Sequence, residues 1–99
     1  MLARIARYEV EADRCDDALD AFTEAGGEIA QMQGFMGGYV CIDSENGGVF
    51  TCTFWEDHNA AEASATRATS ARHRAVGAVD GEIVSVQTFD VVRELRPSG

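Results

Sequence analysis

Residues 34–57 read GFMGGYVCIDSENGGVFTCTFWED, and no other stretch constrains the fold as tightly. Two runs rich in Phe, Val, Ile, Tyr and Thr flank an Asn-Gly pair, the composition of two strands joined by a tight turn. Residues 35–43 and 49–55 are predicted as those strands, with Asn46-Gly47 as a type I′ loop. That loop sets a register in which Cys41 faces Cys52, Tyr39 faces Phe54, Asp43 faces Phe50 and Gly38 faces Trp55. One face of the hairpin then carries Phe35, Tyr39, Cys41, Phe50, Cys52 and Phe54. The other carries Met36, Val40, Ile42, Val49, Thr51, Thr53 and Trp55. Both are largely apolar, so both need cover.

The remaining elements follow from periodicity. Residues 2–10 have apolar side chains on both parities and are predicted as a strand covered on both faces. Asp13 is a plausible helix cap. Cys15, Ala18, Leu19, Phe22, Gly26, Ile29 and Gln33 then recur at helical spacing, with acids off that stripe. Gly26-Gly27 interrupts the pattern at about 1 kcal/mol per glycine. Phe22, Ile29 and Gln33 keep phase across it, which favours a helix continuing to Gln33, closed by Gly34. Asp57 or Asn59 caps a second, alanine-rich helix running to about Val79, and Asp80-Gly81 turns the chain. Residues 82–95 are predicted as one long strand, with Ile83, Phe89 and Val91 on one face and Val84, Val86 and Val92 on the other. Residues 96–99 form a tail. The order β-α-β-β-α-β implies an α+β, ferredoxin-like domain: a four-stranded antiparallel sheet with both helices on one face. Two helices cover one face only, so the other is expected to meet a second copy, giving a homodimer packed sheet to sheet.

Ninety-nine residues make a single domain. The net charge is −9 and every basic residue is Arg, so the clustered positive charge that nucleic acid requires is missing. No apolar run approaches the ~20 residues of a membrane span, and the N-terminus lacks a signal-peptide core. A cytoplasmic protein with no nucleic-acid or membrane partner is expected. Cys15, Cys41 and Cys52 are odd in number and have no metal-ligand spacing; they read as small buried hydrophobes in a reducing compartment.

The chain resembles the antibiotic-biosynthesis monooxygenase (ABM) family of dimeric α/β barrels. The resemblance rests on the element order, Gly34-Phe35 entering the second strand, the Asn46-Gly47 hairpin and Trp55-Glu56 opening the alanine-rich helix. It spans about residues 3–95. It implies a homodimer and an oxygenase that takes its electrons from an aromatic or quinol-like substrate without a dedicated cofactor. A non-catalytic barrel that binds a ligand or a partner is the alternative. The family also includes haem-degrading members, with an Asn on the first strand, a Trp ending the third and a His partway along the next helix. Trp55 matches the Trp. No Asn lies within residues 1–10, the position near Ala65 is not His, and His73 falls about two turns late, so haem is the weaker reading.

His73 and Trp55 are the candidate catalytic residues. His73 borders the buried stripe of the second helix, where an imidazole acts as a general base near neutral pH; the plainer reading is a rim histidine between Arg72 and Arg74. Trp55 either stacks on a flat substrate or is a core or dimer-face indole with its N–H satisfied by the protein. His58, three residues past Trp55, is a candidate for the pocket mouth or a surface histidine. Tyr8, Tyr39, Phe35 and Phe54 are candidate substrate contacts; Tyr8 and Tyr39 could offer a phenol to a ligand, though such a residue is more often plain sheet packing. Arg4 and Arg7 lie on opposite faces of the first strand; whichever faces inward needs a partner or a ligand oxyanion, and Arg7 is taken as the substrate-binding candidate. No Ser-His-Asp array, P-loop, dinucleotide fingerprint or Cys/His cluster is present, so no metal or cofactor is expected.

Overall fold

The structure, a computed structural model, describes residues 1–98; Gly99, the end of the predicted tail, lies outside them. The elements run β1 (Leu2–Glu9), a short 3-10 turn (Ala12–Arg14), α1 (Cys15–Ile29), β2 (Phe35–Asp43), β3 (Gly48–Trp55), α2 (His58–Ala78) and β4 (Glu82–Asp90). The strands form one antiparallel sheet in the order β2-β3-β1-β4, the ferredoxin-like arrangement expected from the element order. Leu2, Ala6 and Tyr8 of β1, with Val49 and Trp55 of β3, share one core with Phe22 and Ile29 of α1 and the alanines of α2. The helices therefore cover the face that carries the even-numbered residues of β1. The opposite face carries Ile5, Arg7, Tyr39, Phe50, Phe54 and Phe89, and neither helix reaches it.

The hairpin departs from the predicted register. Asp43 pairs with Gly48, Cys41 with Phe50 and Tyr39 with Cys52, a shift of two residues from a two-residue Asn-Gly turn. The cause is the Asp43 carboxylate. It accepts from the backbone amides of Glu45 (3.1 Å) and Asn46 (3.3 Å) and from Asn46 Nδ2 (2.9 Å), which folds the connection into a longer loop. Gly47 closes it at φ 77°, its N–H donating to the Asp43 carbonyl at 2.9 Å. A two-residue slip preserves parity, so the faces of residues 38–55 survive. A bulge at Met36 then moves Phe35 to the other face: Gly37, at φ 127°, pairs with Phe54, while Phe35 pairs with Trp55. Trp55 therefore faces Phe35, not Gly38, which pairs with Thr53.

Gly34-Phe35 and Trp55-Glu56 meet across the base of the hairpin. The Glu56 amide donates to the Gly34 carbonyl at 2.8 Å, and the Phe35 ring stands edge-on to Trp55 with centroids 5.6 Å apart. Gly34 has φ 84°, and a Cβ there would collide with Ala60 in the first turn of α2. Asp57 caps that turn, accepting from the Ala60 amide at 2.8 Å.

Other boundaries move for local reasons. α1 runs unbroken through Gly26-Gly27 but stops at Ile29 instead of Gln33, and Met32 folds back into the core. Asp13 lies in the 3-10 turn and caps nothing; Arg14 occupies the cap position and bridges Asp17 (3.4 Å) and Asp80 (3.1 Å), tying the start of α1 to the end of α2. β4 ends at Asp90, short of the predicted Leu95, where the Val91 amide donates to the Met1 carbonyl at 2.9 Å. An irregularity at Val84 places Ile83 opposite Tyr8, on the covered face, and Phe89 opposite Ala3, on the uncovered one. Cys52 is buried as expected, but Cys15 is only partly so and Cys41 is exposed.

Candidate functional site

Between α1 and the sheet lies a cavity of about 420 Å³, within the range of small-ligand sites. Its floor is the covered face of the sheet: Ala6 and Tyr8 of β1, Thr51 and Thr53 of β3, Val40 of β2. Its roof is α1, through Phe22, Ala25, Gly26 and Ile29. Gly26 follows Phe22 by one helical turn, and a Cβ built on it meets nothing within 4 Å. The room thus lies beneath the glycines of α1. The alanines of α2 are used for close packing, with Ala61, Ala68, Ala71 and Ala75 all buried.

Three polar side chains converge on this largely apolar space. Tyr8 is 2% exposed, its ring tilted against Phe22 at 4.5 Å, and its hydroxyl has no hydrogen-bond partner among the described residues. Burial pushes its pKa upward, opposed by the nearby Thr51 hydroxyl and the Arg72 charge. Arg4 is 8% exposed. It donates to the Ala61 carbonyl at 2.8 Å and to Ser64 Oγ at 3.3 Å, and its guanidinium sits 5.5 Å from the centre of the Trp55 ring. Arg72 reaches in from α2, half-buried, donating to Thr69 Oγ1 at 3.1 Å. Burial holds both guanidiniums below their ordinary pKa, and the Arg72 charge adds to the effect on Arg4. Neither forms a salt bridge among the described residues, and no carboxylate or imidazole lines the cavity.

The sequence-predicted residues divide around this site. Tyr8 and Phe35 line the cavity. Tyr39 borders it from the edge strand, but its ring is 69% exposed and stands edge-on to Phe54, on the uncovered face. Phe54 stays on that face. Trp55 is fully buried beside the cavity without lining it, its Nε1–H donating to Thr53 Oγ1 at 3.0 Å. His73 is exposed on the outside of α2. His58 is exposed too, its Nε2 3.1 Å from Asp90 Oδ1. Arg7 points away from the helices, over Phe50 at 5.3 Å; the inward arginine of β1 is Arg4. The parity of β1 puts Arg4 with Leu2, Ala6 and Tyr8, and the buried parity of β3 leaves Arg7 outside.

Sequence reasoning missed Arg72, Thr51, Thr53 and Gly26 as site residues. Each carries a periodic signal. Arg72 continues the four-residue steps of Ser64 and Ala68 along the buried stripe of α2. Thr51 and Thr53 share the parity of Val49 and Trp55. The described residues contain no group of three or more His, Cys, Asp or Glu placed to hold a metal, and no helix long and apolar enough to cross a membrane. With His58 and His73 both outside the cavity, neither is placed to ligate a haem within it.

Comparison with known proteins agrees with this architecture. The family model described as antibiotic biosynthesis monooxygenase matches residues 1–76. A presumptive antibiotic biosynthesis monooxygenase from Deinococcus radiodurans superposes with a TM-score of 0.80 at 14% identity, over 100% of both chains. A cofactor-independent oxygenase from Streptomyces nogalater gives 0.71 at 14% identity, over 97% of both chains. A haem degrader from Mycobacterium tuberculosis, with two haems bound in its active site, gives 0.72 at 22% identity, over 97% of this chain and 100% of that one. Nothing among the curated proteins matches. At these identities the structural likeness establishes the fold.

Proposed function

The chain belongs to the antibiotic biosynthesis monooxygenase family, and from that premise we propose that it is a cofactor-independent oxygenase of a small aromatic or quinol-like molecule, bound between α1 and the sheet. The observation that carries this reading is the cavity itself: an apolar volume of about 420 Å³ into which a few polar groups converge. Phe22, Ile29 and Phe35 suit a ring system. An activated ring methylene that loses a proton leaves a carbanion able to reduce dioxygen. Loss of water from the resulting hydroperoxide gives a carbonyl, so CH₂ and O₂ become C=O and H₂O. The electrons come from the substrate, and the protein's task is to orient the ring and stabilise the charge that develops. Tyr8, Thr51 and Thr53, which line the cavity, are the groups proposed to meet the reacting oxygen.

Gly26→Phe tests this reading. The new ring would enter open space and fill the cavity from its roof. With 1,8-dihydroxyanthrone as probe, wild type is expected to consume one dioxygen per anthraquinone formed, and Gly26→Phe to fall at least tenfold while keeping its circular dichroism. Uptake no faster than in buffer would refute turnover of this probe.

A second reading has its own observation. Among the described residues no imidazole or carboxylate lines the cavity, so none of them offers a bound substrate a side chain with an ordinary general-base pKa. A barrel that binds the same class of molecule without turning it over fits that fact, and saturable binding without oxygen uptake would identify it. Under either reading the chain works as a homodimer through the uncovered sheet face. What supports this is the aromatic character of that face, where Tyr39 is 69% and Phe89 46% exposed.

A further inference from the structure

The two inward arginines stand apart in this chain. The protein carries 17 acidic residues against 8 arginines. Arg14, Arg74 and Arg96 each meet a carboxylate within 3.4 Å on the surface. Arg4, 8% exposed, and Arg72, partly buried, meet none among the described residues. A buried cation without a counter-charge is unfavourable, and a second cation beside it makes the first worse. Packing does not require either charge, since Met or Leu would fill the same volume. The donors are also underused: Arg4 commits two of its N–H groups within the protein and Arg72 one, against five on each guanidinium. The Tyr8 hydroxyl, buried near the Thr51 hydroxyl but without a partner at hydrogen-bond geometry among the described residues, adds a third underused polar group to the same wall.

We propose that the ligand of this cavity carries an ionised oxygen, a carboxylate or a phenolate, held by Arg4 and Arg72 with the Tyr8 hydroxyl donating to it. The proposal rests on the cavity being the ligand site and names the class of molecule it takes: an apolar ring body with one acidic group at the β1–α2 side. Guanidiniums suit such a group because two parallel N–H donors match two oxygens, or bracket one. Trp55 acts as a positioning residue, its ring lying beneath the Arg4 guanidinium and its N–H fixed by Thr53.

The test compares 2-naphthoate with its neutral isostere 2-naphthamide by calorimetric titration of the full chain, with 4-nitrophenol as a phenolate probe read by its visible absorbance. Wild type is expected to bind 2-naphthoate at least tenfold tighter than the amide, or to shift bound 4-nitrophenol toward its ionised form. The first result identifies a carboxylate site and the second a phenolate site. Arg72→Gln, at a partly buried position and with folding checked by circular dichroism, should abolish the preference; Arg72→Lys should restore part of it, since it keeps the charge without the fork. Equal affinity for naphthoate and naphthamide, with no shift of bound 4-nitrophenol, would overturn the anion site and leave the aromatic cavity standing. Arg72-dependent binding of cyclohexanecarboxylate without 2-naphthoate would do the reverse, supporting the anion site and removing the flat aromatic guest. A naphthoate preference that persists unchanged in Arg72→Gln, or binding of none of these probes at millimolar concentration, would overturn the proposal.

Discussion

The two faces of the sheet have exchanged their usual characters. The face under the helices, where a core should be purely apolar, holds Arg4, Tyr8, Thr51 and Thr53. The face open to water holds Ile5, Tyr39, Phe50, Phe54 and Phe89. Each inversion is unfavourable for an isolated chain, the first through desolvated charge and the second through solvated aromatic surface. Each becomes favourable once something is added: an acidic guest on the inside, a second sheet on the outside. On the proposed reading, a residue of the wrong polarity for its surroundings marks where this protein takes a guest or a second copy. The natural experiments are those that restore ordinary polarity to one face at a time.

The largest effect is expected on the uncovered face. Phe50 lies at its centre, paired with Arg7 on one side and Cys41 on the other. Phe50→Glu places a charge where a partner's aromatic surface would pack. Truncations at such central positions cost about 2–4 kcal/mol, so self-association should weaken roughly 30- to 1000-fold. Analytical ultracentrifugation at micromolar concentration should find wild type dimeric and the variant monomeric. A wild type that sediments as a monomer would end the comparison, because the exposed aromatics would then lack a purpose.

The converse change belongs to the covered face. Arg4→Met removes a buried cation and leaves no orphan, since the Ala61 carbonyl still receives the Ser64 hydroxyl at 2.7 Å. Replacing a buried charge by an apolar group of similar reach is often stabilising. The unliganded variant should gain about 1 kcal/mol, or ~4–8 °C in Tm for a domain of this size, while losing the preference for naphthoate over naphthamide. A Tm that falls by as much would recast Arg4 as a strut between β1 and α2, held for stability instead of binding.

The fold was legible because its determinants are local. Strand alternation, the Asp57 cap and the Asp80-Gly81 turn each depend on a few neighbouring residues, and the element order then leaves one sheet topology. The hairpin register was misread because the Asn46-Gly47 signal ignored Asp43, whose carboxylate gathers the loop amides that a two-residue turn would leave elsewhere. That error was harmless to the faces; the bulge at Met36 was not, and it alone moved Phe35 into the cavity wall. The site was half legible. Parity already confined one arginine of β1 to the inside, but choosing Arg4 over Arg7 required knowing which face the helices cover. His73 and Trp55 drew attention through their chemistry, yet one is exposed and the other sealed in the core. Arg72, less conspicuous as a type, was in phase with the buried stripe all along.

The smallest predicted effect concerns one oxygen atom. Tyr8→Phe removes the buried hydroxyl that has no partner among the described residues. Leaving such a group unsatisfied costs about 1–3 kcal/mol, part of which the variant should recover, so a gain of up to ~1 kcal/mol is expected near neutral pH. The pH dependence separates this from a packing change. In the unfolded chain the phenol ionises near 10.0, whereas burial keeps the proton on in the folded protein beyond that point. Above the unfolded value the unfolded chain binds fewer protons than the folded one, so wild-type stability falls as pH rises, levelling off past the folded value. Tyr8→Phe lacks this slope. Urea unfolding at about pH 8 and about pH 10.5 should therefore show the advantage of the variant widening with pH. Saturating 2-naphthoate should narrow it, because an acidic guest gives the wild-type hydroxyl an acceptor that Phe cannot use. An advantage that is absent without ligand would mean the hydroxyl is already satisfied, and the covered face would then be less incomplete than the open one.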